Sequence, residues 1–301
     1  MRDSRMMGVA LVALSAACFG AMAIFARFAR ADGVDVLALL FLRFVIAGGV
    51  MALVMCLSRR AWPRGRNLTV LALMGGVGYV GQSLCFFLAL DHASAGLVAL
   101  LLYLYPFLVM LIGVIFLGER LSALRAGAVL AALLGTGLSI GPGLAGSVIG
   151  VGLGVGAALI YSIYILVGGR VLKEEDPLAA ATVVMLAAAT VFGIGVVLDG
   201  PRFPVSFAGW ASVLAIALLS TVFAMAGFFA GIKRLGASDA ATLSTLEPVV
   251  TFVLAALFLD EPVTPLQMAG GAIVLSAVIA LARGATPLRR DQVLRGSTRS
   301  R

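Results

Sequence analysis

Charge is scarce in this chain. Asp, Glu, Lys and Arg make up only 12% of its 301 residues, while 62% of the residues are hydrophobic. A soluble domain carries about twice that share of charge. The mean hydropathy of +1.12 excludes water as the main solvent, and apolar runs follow one another with short polar breaks, leaving no room for a separate soluble domain. Histidine occurs once, as His92, and cysteine three times, as Cys18, Cys56 and Cys85. An odd number of cysteines inside apolar runs, without ligand spacing, argues against a disulfide framework and against a metal centre. HExxH and Walker A patterns are absent, as is any cluster of His, Cys or carboxylates within one span or loop that could bind a metal or form a nucleophile pair. No metal, no cofactor and no enzymatic activity are therefore expected, nor ATP coupling within this chain.

Basic residues are what the sequence does have, with a net charge of +8 and a pI near 10.1. They lie in short loops and a tail, with no aromatic interleaving and no basic helical face, so nucleic acid is not an expected partner. Ten spans can be placed, at about 6 to 28, 35 to 57, 68 to 90, 95 to 117, 124 to 141, 147 to 169, 177 to 198, 209 to 232, 239 to 259 and 266 to 283. Each is long enough to cross a hydrocarbon layer of roughly 30 Å, and each must be helical to satisfy its own backbone. Arg2 and Arg5 before the first span faintly resemble a signal peptide. That reading fails because the apolar run continues through Cys18 to Phe28 and Ser15 stands where a lipoprotein signal usually has Leu. With the N-terminus inside, 18 of the 22 Lys and Arg residues fall on the cytoplasmic side, three fall outside and Arg43 lies in the second span. Both termini are then cytoplasmic, in a plasma (inner) membrane, and the basic segment 284–301 is expected to be a disordered tail beside the anionic leaflet.

An internal repeat organises the rest. At an offset of 142 residues, 86 to 123 lies over 228 to 265 without a gap and with ten identities, among them Phe86/Phe228, Pro106/Pro248 and Glu119/Glu261. The same offset sets Phe19-Gly20 over Tyr161-Ser162. Five spans per unit is an odd number, so the second unit enters the membrane from the opposite side. The expected fold class is all-α integral membrane, with ten transmembrane helices as two inverted repeats, 1–141 and 142–283.

These residues carry a resemblance. Phe19-Gly20 and Tyr161-Ser162, with Pro106 to Gly118-Glu119-Arg120 and Leu246-Glu247-Pro248 to Asp260-Glu261, resemble the EamA-type branch of the drug/metabolite transporter superfamily over nearly the whole chain. Asp260 departs from the Gly usual at that place in the family. The resemblance implies a ten-helix bundle that moves small solutes such as amino acids or other metabolites, often outward.

Polar groups inside a bilayer are costly, so each is a candidate site residue to be weighed against a structural role. Glu247 lies about eight residues into the ninth span, beside Pro248, whose missing N–H loosens the helix. A carboxyl there could take up and release a proton, or only hydrogen-bond a neighbouring helix. Its repeat mate is Tyr105, so the charge stands in one half only. Arg43 could pair with Glu247 or hold an anionic substrate group. Snorkelling towards a headgroup is the favoured alternative, since Arg43 is only about one and a half turns from the start of its span. Gln82, Tyr103, Tyr161 and Tyr164 could line a polar cavity, with Gln82 and Tyr161 foremost; the other role open to tyrosines near span ends is interfacial anchoring. Glu119 and Glu261 read as capping or loop-ordering residues. His92 reads as a solvated loop residue, and Gly152 and Gly156 have the spacing for close helix contact.

A secondary transporter working by alternating access, as an exporter coupled to protons through Glu247, fits these features best. A channel would call for a lining ring of charges or carbonyls, and a membrane-embedded enzyme has no motif to support it. The expected partners are a small-molecule substrate and the lipid bilayer, with a homodimer as an open option.

Overall fold

Helix ends inside or near lipid need partners for their free backbone groups, and the caps of this chain supply them. The computed structural model describes residues 2–90, 92, 93, 98, 101–118, 122–140, 146–258 and 263–284. Helix α1 covers Arg2–Ala31, α2 Val36–Leu57, α4 Tyr105–Leu117, α5 Ala123–Ile140, α6 Val148–Val171, α7 Pro177–Asp199 and α10 Pro265–Gly284. The remaining three change winding along their length. Helix α3 runs from Gly65–Leu73 through a π-turn at Met74–Tyr79 to Val80–Leu90, and α8 from Phe207–Ala217 through a π-turn at Leu218–Phe223 to Ala224–Leu235. Helix α9 runs from Ala237–Leu243 through a 3-10 turn at Ser244–Leu246 to Glu247–Phe258. Among the described residues there is no β-strand, only an isolated bridge between Ala93 and Gly146.

Asp35 caps α2 by accepting from the Ala38 amide at 2.7 Å. Asp176 accepts from the Leu178 and Ala179 amides ahead of α7, where Pro177 needs no partner for an N–H it lacks. Ser147 and Ser206 cap α6 and α8 in the same way. Gly118 and Gly200 end α4 and α7 with φ of 65° and 63°, a left-handed turn that costs glycine little.

Among the described residues, seven helical stretches are long and apolar enough to cross a membrane, and three shorter apolar helices, Tyr105–Leu117, Ala123–Leu138 and Pro265–Ala280, accompany them. The protein is thus an all-helical, multi-pass membrane protein. Leu14, Ile115, Phe116, Val197 and Phe223 are exposed on the outside of the bundle, while Phe44, Met51, Ile165, Met185, Phe228 and Phe229 are buried within it. The main packing partners are α5 with α10, α2 with α7, α1 with α8, α3 with α6, α1 with α9, and α4 with α6. Adding 142 to the residue numbers exchanges the α1–α8 pair with the α6–α3 pair. The α1–α9 and α6–α4 pairs exchange likewise, so the repeat in sequence is also a repeat in packing.

Glycine permits the closest of these approaches. A Cβ on Gly20 would meet the Glu247 carbonyl at 2.7 Å, and one on Gly75 would collide with the Val184 carbonyl of α7. Gly152 and Gly156 do not make the expected close helix contact. An added Cβ on Gly152 would meet nothing within 4 Å, and it is Gly150 and Gly154 that face Ala93 and Leu101. Two residues further along is more than half a turn around the helix, so the small-residue spacing is right and its face is wrong.

Polar ties close both ends of the bundle. At the end where α1 begins, Arg60 pairs with Asp176 at 2.7 Å and Asn67 donates to Glu175 at 2.8 Å, joining the α2–α3 connection to the α6–α7 connection. At the other end Asp32 accepts from the Val205 and Ser206 amides at 2.9 and 3.1 Å. Asp35 accepts from Arg202 N–H as well as capping α2. The Ser206 hydroxyl and amide, followed by the Val205 amide, hold the Asp32 carboxyl below its ordinary value. The tie is therefore complete above the usual aspartate range and is lost as pH falls through the lowered value. A Cβ on Gly209 would occupy the space of this carboxylate. His92 is exposed, as expected. Glu119 and Glu261, with Arg120, Asp260 and the tail after residue 284, lie outside the described residues.

Gly75→Ala should destabilise the protein by about 1 to 3 kcal/mol through overpacking against fixed backbone. Gly152→Ala, with open space around it, should be neutral or slightly stabilising. Thermal unfolding of the two purified variants in detergent checks this; equal midpoints would contradict it.

Candidate functional site

Arg43 is a charged residue buried inside the bundle. It is only 4% exposed, so it does not snorkel to a headgroup as its place near the span start suggested. Its Nε donates to the Thr221 hydroxyl at 2.7 Å and its Nη2 to the Tyr79 hydroxyl at 3.0 Å. The guanidinium carbon also lies 4.8 Å from the Phe44 ring centre and 5.7 Å from that of Tyr79, within cation–π range. Both oxygen partners come from π-turns, Tyr79 from the one in α3 and Thr221 from the one in α8. Wider winding re-aims side chains and disturbs the backbone ladder; here Thr221 also donates to the Ile216 carbonyl at 2.8 Å. Tyr79 and Thr221 are separated by 142 residues and are thus repeat mates. Arg43, whose own mate is the buried Met185, bridges equivalent points of the two halves.

From Tyr79 a ladder of rings crosses the interior. Tyr79 meets Tyr164 at 5.8 Å, Tyr164 stacks on Tyr161 at 5.9 Å, Tyr161 meets Tyr105 edge-on at 4.9 Å, and Tyr105 lies 6.3 Å from Tyr103. These are all five tyrosines of the chain. They serve as interior rings rather than interfacial anchors. Phe44, stacked on Phe192 at 5.8 Å, and Phe229, 6.2 Å from Tyr164, extend the aromatic surface.

Glu247 stands at the far end, with the Tyr103 hydroxyl against its carboxyl. It is the first residue after the 3-10 turn of α9. Pro248 cannot serve the Ser244 carbonyl, which instead receives the Glu247 amide. Hydroxyls meet other carbonyls around the break: Tyr105 donates to Ala241 at 3.3 Å, Thr245 to Thr242 at 2.7 Å and Thr251 to Glu247 at 3.1 Å. The repeat mate of this place is Tyr105-Pro106 at the start of α4, where a turn at residues 103–104 precedes the helix. Ser162, the mate of Gly20, donates to the Tyr105 carbonyl at 3.3 Å, while Gly20 lies against the Glu247 carbonyl. Each half thus packs a small residue of its first helix against the break in a late helix of the other half.

Six of the seven residues singled out from the sequence, Glu247, Arg43, Tyr103, Tyr105, Tyr161 and Tyr164, fall on this one polar axis. Gln82 does not join it by contact. It is half-buried in the last part of α3, with no hydrogen-bond partner among the described residues. Nor does Arg43 pair directly with Glu247, because its bonds go to the two hydroxyls. Sequence reasoning missed Tyr79 and Thr221, whose only signal was their relation across the repeat. It also missed Asp239, a 1% exposed carboxylate that opens α9 and pairs with Arg125 at 2.9 Å and Arg5 at 3.3 Å. That ion cluster joins α1, α5 and α9 at the end where α1 begins. Its signal was an acid at the very start of a predicted span. Among the described residues no group of His, Cys, Asp or Glu could hold a metal ion.

Known proteins resemble this chain in sequence and fold. The sequence pattern of the EamA-like transporter family matches residues 6–141 and again residues 148–283. A probable terminal-alkyne amino-acid exporter of Streptantibioticus cattleyicolor is 27% identical over 269 residues, covering 86% of this chain and 88% of that protein. The threonine/homoserine exporter RhtA of Escherichia coli is 31% identical over 140 residues, 46% of this chain and 45% of its own length. A crystal structure with 24% identity has the same fold, with a TM-score of 0.77 over 92% of this chain and 98% of that one.

Removing a hydrogen bond to the buried guanidinium should cost stability, whereas the Tyr164 hydroxyl has no partner to lose. Tyr79→Phe should destabilise by about 1 to 2 kcal/mol and Tyr164→Phe by much less. Unfolding of both variants in the same detergent measures the difference; a reversed order would contradict the Arg43 geometry.

Proposed function

The chain belongs to the EamA-like transporter family, and from that premise we propose that it is a secondary exporter of small polar metabolites of the amino-acid kind, working by alternating access with Glu247 as its proton-responsive group. In this reading the ten helices are all transmembrane and form two inverted units, 1–141 and 142–283, in the plasma membrane with both termini cytoplasmic. The named relatives support the direction and class of solute, since one is named a probable terminal-alkyne amino-acid exporter and another a threonine/homoserine exporter. The lopsided placement of Lys and Arg supports the orientation.

One observation carries the proposal. Helix α9 and the start of α4 break at equivalent places, and the break in α9 sets a carboxyl on an interior axis that also holds a cation and five tyrosines. Discontinuous helices at the interface of two repeats are where secondary transporters place their solutes and coupling ions. Non-helical backbone at such depth is tolerated only where it is buried in protein or lines a cavity. Glu247 can neutralise itself by taking a proton, which lets solute exit be exchanged for proton entry. Family membership speaks for transport rather than enzymatic turnover.

Proteoliposomes test the coupling. An imposed pH gradient should drive uptake of an amino acid from a panel that includes threonine and homoserine. Glu247→Gln should abolish the response to the gradient while leaving exchange of labelled for unlabelled solute intact. Gradient-driven uptake that survives the substitution unchanged would make the carboxyl structural.

A further inference from the structure

Arg43 makes no direct ion pair among the described residues. It is buried, yet its two hydrogen bonds go to neutral hydroxyls, its Nη1 makes none, and no described carboxylate lies within ion-pair distance of it. A guanidinium buried without a direct ion pair is costly, and a structure that only needed to fill this space would have used the methionine found at the mate position, Met185. The neighbourhood holds a second unmet group. The Tyr164 hydroxyl is buried and has no hydrogen-bond partner, its ring packs on that of Tyr79, and it lies within electrostatic reach of Arg43. The hydroxyl can donate, as the guanidinium does, so one acceptor that carries negative charge would satisfy both. Glu247, at the opposite end of the tyrosine ladder, acts on Arg43 only through its field and makes no ion pair with it.

We propose that Arg43 and Tyr164 form an anion subsite that takes the carboxylate of the transported solute. The inference rests on reading the polar axis as the solute site. It narrows the solute to organic acids and amino acids that keep a free carboxylate, and excludes amines and neutral polar solutes as good ligands. A guanidinium held by Nε and Nη2 still presents Nη1 to one carboxylate oxygen, and the Tyr164 hydroxyl can donate to the other. The π-turns acquire a purpose in this arrangement. By fixing Tyr79 and Thr221 on either side of the cation they aim its free nitrogen and keep it from folding back onto backbone carbonyls.

Binding can be measured without transport, so the subsite and the exporter reading fail separately. Purified protein in detergent is titrated with sodium formate, the smallest carboxylate, at constant ionic strength, and the thermal midpoint and tyrosine near-UV circular dichroism are followed. Saturable stabilisation by formate is expected, weakened about ten- to a hundredfold in Arg43→Met, given what a charge-assisted hydrogen bond is worth, and restored in part by Arg43→Lys. Tyr164→Phe guards against misfolding as the explanation, because it removes a hydroxyl that makes no hydrogen bond to the protein. It should fold like the parent and bind formate several-fold more weakly. No saturable response in the parent, an equal response in Arg43→Met, or a response to chloride without one to formate would each overturn the carboxylate subsite. If formate binds as expected but no amino acid is moved by proteoliposomes, the subsite stands and the exporter reading falls.

Discussion

A guanidinium does not sit inside an apolar bundle unless its surroundings are built for it, and much of this protein's architecture follows from that constraint at Arg43. Two helices abandon regular α winding to offer it oxygen, one from each half, and the two oxygens are repeat mates. Helices α2 and α7 pack together beside it, and Gly75 keeps α3 close enough to α7 for the Tyr79 π-turn to reach. The rings of Phe44 and Tyr79 lie against the cation, and Phe192 backs Phe44. Removing the charge would leave two π-turns with nothing to hold.

At the other end of the tyrosine ladder the constraint is a carbonyl rather than a cation. Pro248 leaves α9 one donor short, the helix tightens into a 3-10 turn, and Glu247 emerges at the restart. The opposite half has the same break with Tyr105 in place of the acid. A symmetric scaffold thereby acquires an asymmetric charge pattern, with a cation supplied by α2 and a carboxyl by α9. Such a pattern suits a solute that has one end unlike the other.

The all-helical, multi-pass character was legible because lipid demands long apolar runs, and the repeat because Pro106/Pro248 and Phe86/Phe228 align without a gap. Glu247 was legible through its neighbour, since proline announces a weak point in a helix. What stayed hidden was rotation. Hydropathy says that Gly152 is in a membrane helix but not which way it faces, and the contact falls to Gly150 and Gly154 instead. The π-turns at Met74–Tyr79 and Leu218–Phe223 leave no mark in sequence, so the meeting of Arg43 with Tyr79 and Thr221 could not be foreseen. Tyrosines near predicted span ends suggested the interface, whereas tertiary packing gathers all five in the interior. Asp239 escaped notice because an acid at the first residue of a span reads as a boundary, although it is buried with two arginines.

Alternating access requires the polar axis to open to one face and then to the other, with ties such as Arg125–Asp239 and Asp32–Ser206 holding the two ends. Tyr161, half-buried in the middle of the ladder, is the place to observe this. With Cys18, Cys56 and Cys85 replaced and a single cysteine introduced by Tyr161→Cys, a membrane-impermeant thiol reagent is applied to right-side-out and to inside-out vesicles. Labelling from both faces, with the balance shifted by added solute, is the result expected of two units exchanging access around a central site. Labelling from one face only, whatever the solute present, would contradict it.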